Sequence, residues 1–207
     1  MKTLIMSILG FLSFSANATP EENFWKWFKK NEAIIFEFEK DQERVFDLLS
    51  NEMYKVNPNL TFEFGPKINN QREFIISADG IKEAFPKVES LYSAAPSSLS
   101  KWIIIKFRPR RKPFDIEYNG ISVEAASVLV NLYPDGNKIG VTLIIPSYTE
   151  ADSKIFTGIA YLILDQALGE YDVETKVGFI QVKSSVPGTT KTYSLTELPK
   201  EFDKALQ

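Results

Sequence analysis

The chain has 207 residues, of which 44% are apolar, 25% charged and 13% aromatic, with a net charge of -3. It contains neither cysteine nor histidine. Disulfides, thiolate nucleophiles, cysteine zinc sites, Ser–His relays and imidazole metal ligands are therefore excluded. The acidic balance argues against general nucleic-acid binding, and no cofactor or metal is implied.

Lys2 precedes an apolar stretch at residues 4–14, and Ser15-Ala16-Asn17-Ala18 ends in an Ala-x-Ala pattern. Signal peptidase accepts small side chains at both alanine positions, so this reads as a secretory signal cut after Ala18. The stretch is shorter than the roughly 20 residues a membrane span needs. The expected product is one domain, residues 19–207, periplasmic or secreted and without a membrane span. A chain of that size buries roughly two thirds of its unfolded surface, enough for a core without staples.

Residues 23–30 open a helical region. From 32 to 56, Ile34, Ile35, Phe38, Val45, Phe46, Leu49, Met53 and Val56 follow a 3.6-residue period, which predicts one amphipathic helix ending at Asn57-Pro58. Residues 60–64 alternate as a strand, and 72–78 form the next, ended by Asp79-Gly80. A helix is expected over 82–94, with Pro86 in its first turn. Residues 101–107 make an apolar strand, followed by a stiff basic loop over 109–113. Strands over 122–132 and 138–145 flank a turn at residues 133–137. A helix over 155–168 stops at Gly169. A strand at 176–184, a turn at Pro187-Gly188 and a closing helix at 199–206 complete the chain.

Residues 60–107 thus read strand, strand, helix, strand, and residues 123–184 read the same way. A helical crossover makes its flanking strands parallel, and a hairpin makes them antiparallel. The fold class is therefore α+β: one mixed, mainly antiparallel sheet of about six strands, with helices mainly on one face.

Three features carry candidate chemistry. Lys106, Arg108, Arg110 and Arg111 crowd a strand exit close to Trp102, and three of the five arginines after Ala18 lie here. The guanidinium fork suits carboxylates and phosphates. These residues are either an anion- or partner-docking lip, or a strand exit paired with the protein's own acids. Asp165, Glu170, Asp172 and Glu174 form an acidic patch after a helix, where the dipole disfavours negative charge. They are either functional or the counterpart of the basic loop. Finally, Phe24-Trp25-Lys26-Trp27-Phe28 is an aromatic cluster whose Phe24, Trp27 and Phe28 share a helix face, with Trp25 pointing elsewhere. It either packs on the core or offers an aromatic contact surface.

The blocks Phe24-Trp25-Lys26-Trp27-Phe28, Ile76-Ser77-Ala78-Asp79-Gly80, Ala95-Pro96 with Trp102, Phe107-Arg108-Pro109-Arg110 and Leu168-Gly169-Glu170 resemble a family of uncharacterised bacterial proteins. The resemblance spans most of the chain after Ala18. It implies a self-contained domain of bacterial origin and no particular activity.

The expected function is a non-enzymatic binding or protein-interaction domain of the cell envelope. Its partner would be a protein, such as a toxin neutralised by an immunity-type protein, or a small anionic ligand. The alternatives are a carboxylate-dependent hydrolase, which requires two acids facing one cleft, and a small-ligand binder with a cavity between helix and sheet.

Overall fold

The computed structural model describes residues 18–185, 188 and 191–207. The proposed signal, apart from Ala18, and Pro187 of the expected turn lie outside the described residues. The architecture is α+β, with three small sheets instead of the expected single sheet of six strands.

The first sheet has the order β1-β2-β3, from β1 (Thr61–Phe64), β2 (Arg72–Ser77) and β3 (Trp102–Lys106). β1 and β2 pair antiparallel, with Phe64 opposite Phe74. β2 and β3 pair parallel, with Phe74 beside Ile104. The crossover between them is a 3-10 turn at Lys82–Ala84 and the helix α4 (Phe85–Ser93), with Pro86 in its first turn. A separate hairpin follows, β4 (Ile116–Tyr118) and β5 (Ile121–Val123).

The last sheet comprises β6 (Leu129–Asp135), β7 (Lys138–Ile144), β8 (Val177–Lys183) and β9 (Tyr193–Ser194), in the order β8-β7-β6-β9. β6 and β7 are antiparallel, while β7 and β8 are parallel across α5 (Ser153–Leu168) and α6 (Glu170–Lys176). The chain ends in α7 (Leu198–Ala205).

Both strand–strand–helix–strand units are present, but each builds its own sheet. The reason lies in the chain between them. Residues 107–128 form a loop and the β4–β5 hairpin, and β9 occupies the outer edge of β6. Among the described residues no strand bridges β3 to β6.

The three-stranded and four-stranded sheets each have a core, and the hairpin adds Ile116 and Val123 to the second. In the first, α1 (Pro20–Lys30) lays Phe24 and Phe28 against Phe74, with ring centroids 6.3 and 5.0 Å away. Phe74 also meets Phe64 and Trp102, at 5.6 and 6.2 Å. A buried phenylalanine at such a point stabilises by about 2–3 kcal/mol through area alone, and truncation to alanine leaves a cavity as well. In the second core, Phe156, Ile159, Ala160, Ile163, Leu164 and Ala167 recur every three to four residues along α5 and are buried. They cover Val130, Val141 and Leu143 of β6 and β7.

Two local expectations are corrected. Trp25 is buried, and its indole N–H donates to the Leu91 carbonyl at 2.7 Å, whereas Trp27 is only half-buried. The aromatic cluster therefore packs on the core. The helix expected over 32–56 is broken into α2 (Glu32–Phe36), a 3-10 turn at Phe38–Lys40 and α3 (Gln42–Tyr54). The break lets Phe38 leave the helical stripe and stack on Phe64 at 4.6 Å. The buried Arg72 guanidinium lies 4.5 Å over the Phe38 ring and is ion-paired to Glu39. Among the described residues no helix is long and apolar enough to cross a membrane.

Candidate functional site

The parallel pairing of β2 and β3 brings their carboxyl ends side by side. Open α/β sheets commonly bind ligands at such ends. β2 runs out into Ala78-Asp79-Gly80, with Asp79 at φ 52° and Gly80 at φ 76°. β3 runs out into Phe107, at φ 62°, and then Arg108. Left-handed backbone is costly for non-glycine residues. It persists here because the surroundings fix it. The Phe107 ring packs 4.6 Å from Phe85 and 5.2 Å from Tyr171, and both strand ends are bonded to Glu170.

Glu170 is fully buried. Its Oε1 accepts from the N–H groups of Ala78 and Gly80, at 2.9 and 3.2 Å. Its Oε2 accepts from the N–H of Arg108 at 3.0 Å. One carboxylate of the second unit thus satisfies three backbone donors of the first. Segments 76–80, 107–110 and 168–170 meet at this point. The acidic patch does not simply follow a helix end, since only Asp165 lies in the last turn of α5. In fact Gly169 separates two helices, and Glu170 and Asp172 lie in the first turn of α6, where negative charge is favoured.

The basic loop works as a strap between the two units. The N–H of Arg111 donates to the Gln166 carbonyl at 2.6 Å, and the N–H of Phe114 to the Gln166 side chain at 2.9 Å. Each arginine is paired with the protein's own acids. Arg108 meets Glu63, Asp79 at 2.8 Å and Asp165 at 3.6 Å. Burial opposes its charge, but Glu63 and Asp79 more than offset that and hold its pKa above the ordinary value. Arg110 forms a two-pronged pair with Asp203 at 2.8 and 2.7 Å, and meets Asp172 at 2.6 Å and the Leu168 carbonyl at 3.0 Å. The bond from Arg110 holds the Asp203 carboxyl below its usual range. Arg111 pairs with Glu73.

The two remaining candidates of the basic cluster lie apart. Lys106 is exposed and pairs with Glu89 at 2.8 Å. Trp102 is buried in the first core, its indole N–H without a partner.

A groove runs beside the strap, between it and the exposed side of α5. It has two chambers that share Arg108, Leu162 and Asp165. The first, of about 510 Å³, is also lined by Asp79, Gly80, Tyr118, Tyr161 and Glu174. The second, of about 570 Å³, adds Pro109, Arg111, Lys112, Phe114 and Ile116. Tyr118 lies on α5 at Gly158, where a side-chain carbon would come within 2.9 Å of the ring.

The carboxyls of the first chamber are not equivalent. Burial pushes Asp165 up to about 7; Arg108 pulls it down, while Glu170, Glu174 and Asp79 push it further up. Burial, aided by Glu170, also raises Glu174. Asp165 is therefore a neutral hydrogen-bond donor below about 7 and an anion above it. Perturbed carboxyls in a cleft mark a site of binding or proton transfer. Among the described residues no three acids group so as to hold a metal ion.

The structure brings Arg108 and Asp165 together in the groove and places Glu170, Arg110 and Asp172 in the joint behind it. Sequence reading missed Glu63, Asp203, Tyr118 and the apolar wall. The turn dipeptide Asn119-Gly120 was the available signal for the hairpin that carries Tyr118. Comparison with known proteins finds no matching family model, curated protein or solved structure.

Proposed function

We propose that the protein is a non-enzymatic binding domain of the cell envelope that takes its ligand in the groove beside the strap. The observation that carries this reading is the groove itself. Each chamber is large enough for a small molecule, since ligand sites run from roughly 300 to 1,000 Å³. Its walls combine exposed apolar side chains with a few fixed polar groups. Arg108 and Arg110 are committed to the protein's own carboxylates and act as a rigid frame, while Arg111 keeps donors beyond its bond to Glu73. Lys2, the apolar stretch and the Ala-x-Ala pattern support an envelope location.

Thermal-shift screening across broad metabolite classes tests the reading. A ligand present at a hundred times its Kd adds about 2.7 kcal/mol of stability. The expected result is a stabilising class whose effect disappears in a Leu162→Asp variant, because Leu162 lies where the chambers meet. Stabilisation by no class, or a shift that survives in that variant, overturns it.

A carboxylate-dependent hydrolase is the second reading. It is favoured by one observation: Asp165, held at about 7, shares a chamber with Asp79 and Glu174. A carboxyl raised toward neutral pH beside a second acid is what acid–base hydrolysis uses. Turnover of chromogenic glycosides or phosphate esters, abolished separately by Asp165→Asn and Asp79→Asn, would establish it. Absence of turnover rules it out for those substrates.

A further inference from the structure

We propose that the second chamber binds a small amphipathic carboxylate, its head group on Lys112 and Arg111 and its apolar body against Phe114, Ile116 and Leu162. The proposal rests on the groove being the binding site and adds the chemical class of the ligand.

The apolar half of the argument starts from Phe114. It is 61% exposed, more than any other phenylalanine among the described residues. Its backbone N–H is tied to the Gln166 side chain at 2.9 Å, so it is exposed and also held in place. With Pro109, Ile116 and Leu162 it forms the wall of a chamber of about 570 Å³. Covering that wall removes apolar surface from water, which favours a ligand with an apolar body.

The charged half follows from which side chains are already committed. The chamber is lined by Arg108, Arg111 and Lys112 on one side of the balance, and by Glu63 and Asp165 on the other. Arg108 is taken up by Glu63, Asp79 and Asp165. Arg111 has a single acid partner, Glu73, and its side chain remains 42% exposed. A guanidinium carries five donors, so several remain for a ligand. Lys112 is exposed and has no ion pair among the described residues. Lys112 is therefore the cation of this chamber that no acid among the described residues neutralises, and a ligand carboxylate would pair with it.

Asp165 makes the site sensitive to pH. It faces Arg108 on the strap, Asp79 after β2, and Glu170 and Glu174 on α6, and Arg108 in turn faces Glu63 on β1. While Asp165 is protonated it adds no opposing charge. Once ionised, it repels an anionic ligand in the same chamber.

The test is calorimetric titration of the purified protein with 2-naphthoate, 2-naphthalenemethanol and 2-naphthylmethylamine. These share a ring system and differ in head-group charge. Naphthoate is expected to bind at least tenfold more tightly than the alcohol at pH 6, and the amine more weakly than both. Naphthoate stays ionised from pH 6 to 8.5, yet its affinity should fall severalfold across that range, and Asp165→Asn should flatten the profile. Lys112→Glu and Phe114→Ser should each cost about tenfold; both residues are exposed, and the ligand series on the unsubstituted protein decides if either variant fails to fold. Equal or tighter binding of the alcohol or amine overturns the carboxylate proposal and leaves the groove reading standing. No binding by any of the three also overturns it, and the broad metabolite screen then judges the groove reading separately.

Discussion

Glu170 and Arg108 bond to each other twice, and in both directions. The Arg108 N–H donates to the Glu170 carboxylate at 3.0 Å, and the Glu170 N–H donates to the Arg108 carbonyl at 3.0 Å. The pair joins the end of β3 to the start of α6, and so joins the first core to the second. The same carboxylate holds Ala78 and Gly80, at the end of the neighbouring strand. One side chain thus ties together the two strand ends whose Gly80 and Arg108 line the first chamber.

Replacing Glu170 by alanine is expected to destabilise the protein by about 3 kcal/mol, because one buried and two half-buried N–H groups lose a charged acceptor. Glu170→Gln keeps one acceptor oxygen but turns an amide against the other donors, and should cost less. Chemical denaturation monitored by tryptophan fluorescence measures both. A loss below about 1 kcal/mol for the alanine variant would show that the joint is held elsewhere.

Gly169 is required by the same joint. Its φ of 79° and ψ of 146° lie in a region used almost only by glycine. A side-chain carbon there would also sit 3.1 Å from the Arg108 carbonyl oxygen and 3.3 Å from the Arg110 nitrogen. Gly169→Ala is expected to cost about 2–3 kcal/mol, the strain of the conformation plus the displaced strap. If Gly169→Ala leaves the unfolding midpoint unchanged, the strap can move away freely.

These joints explain which parts of the molecule were readable from the residues alone. The ββαβ units follow from periodicity, which is local: the α5 stripe and the apolar β3 announce themselves. The sheet count does not, because it depends on whether β3 and β6 become neighbours, and no local pattern specifies that. The arginine partners are equally remote. Asp203 lies 93 residues from Arg110, and Glu63 lies 45 from Arg108. A run of arginines and a run of acids were visible, but their pairing was set by topology. Trp25 was misplaced because its burial depends on the carbonyl of Leu91, 66 residues away. Gly169 was readable as a helix stop but gave no sign of the second helix beyond it.

The exported protein is expected to begin at Thr19. Thr19 is the N-cap of α1 and forms a reciprocal capping box with Glu22. The cap of the first described helix thus lies directly after the proposed cut. The Thr19 nitrogen already lies 3.0 Å from a Glu22 oxygen, so a free ammonium there would gain a charge-assisted bond. N-terminal sequencing of the periplasmic or culture fraction checks this. Ala18→Leu should block processing, because the peptidase needs a small side chain at that position. A mature protein that starts elsewhere, or one that stays in the cytoplasm, would remove the case for an envelope function.

Asp165 should make folding stability fall as the solution becomes more alkaline. Burial pushes the carboxyl up to about 7 in the folded protein, against an ordinary 3.8. The folded state thus binds the proton more tightly, and stability rises with pH only where the unfolded state binds more protons. The contribution is complete below 3.8 and is lost as pH climbs through that interval to about 7. At 1.36 kcal/mol per pKa unit, the loss reaches about 4 kcal/mol at most. Glu174, also raised by burial, contributes with the same sign from 4.5 upward, while Asp203, held low by Arg110, contributes with the opposite sign only below 3.8. The informative quantity is therefore the difference between the protein and its Asp165→Asn variant. The asparagine keeps the size of the side chain and cannot ionise. Near pH 4 the two should be about equally stable, and by pH 8.5 the variant should be the more stable. Denaturant midpoints across that range decide the matter. A difference that stays constant with pH would place the Asp165 carboxyl in water, and would remove the basis for both the second functional reading and the pH-sensitive anion site.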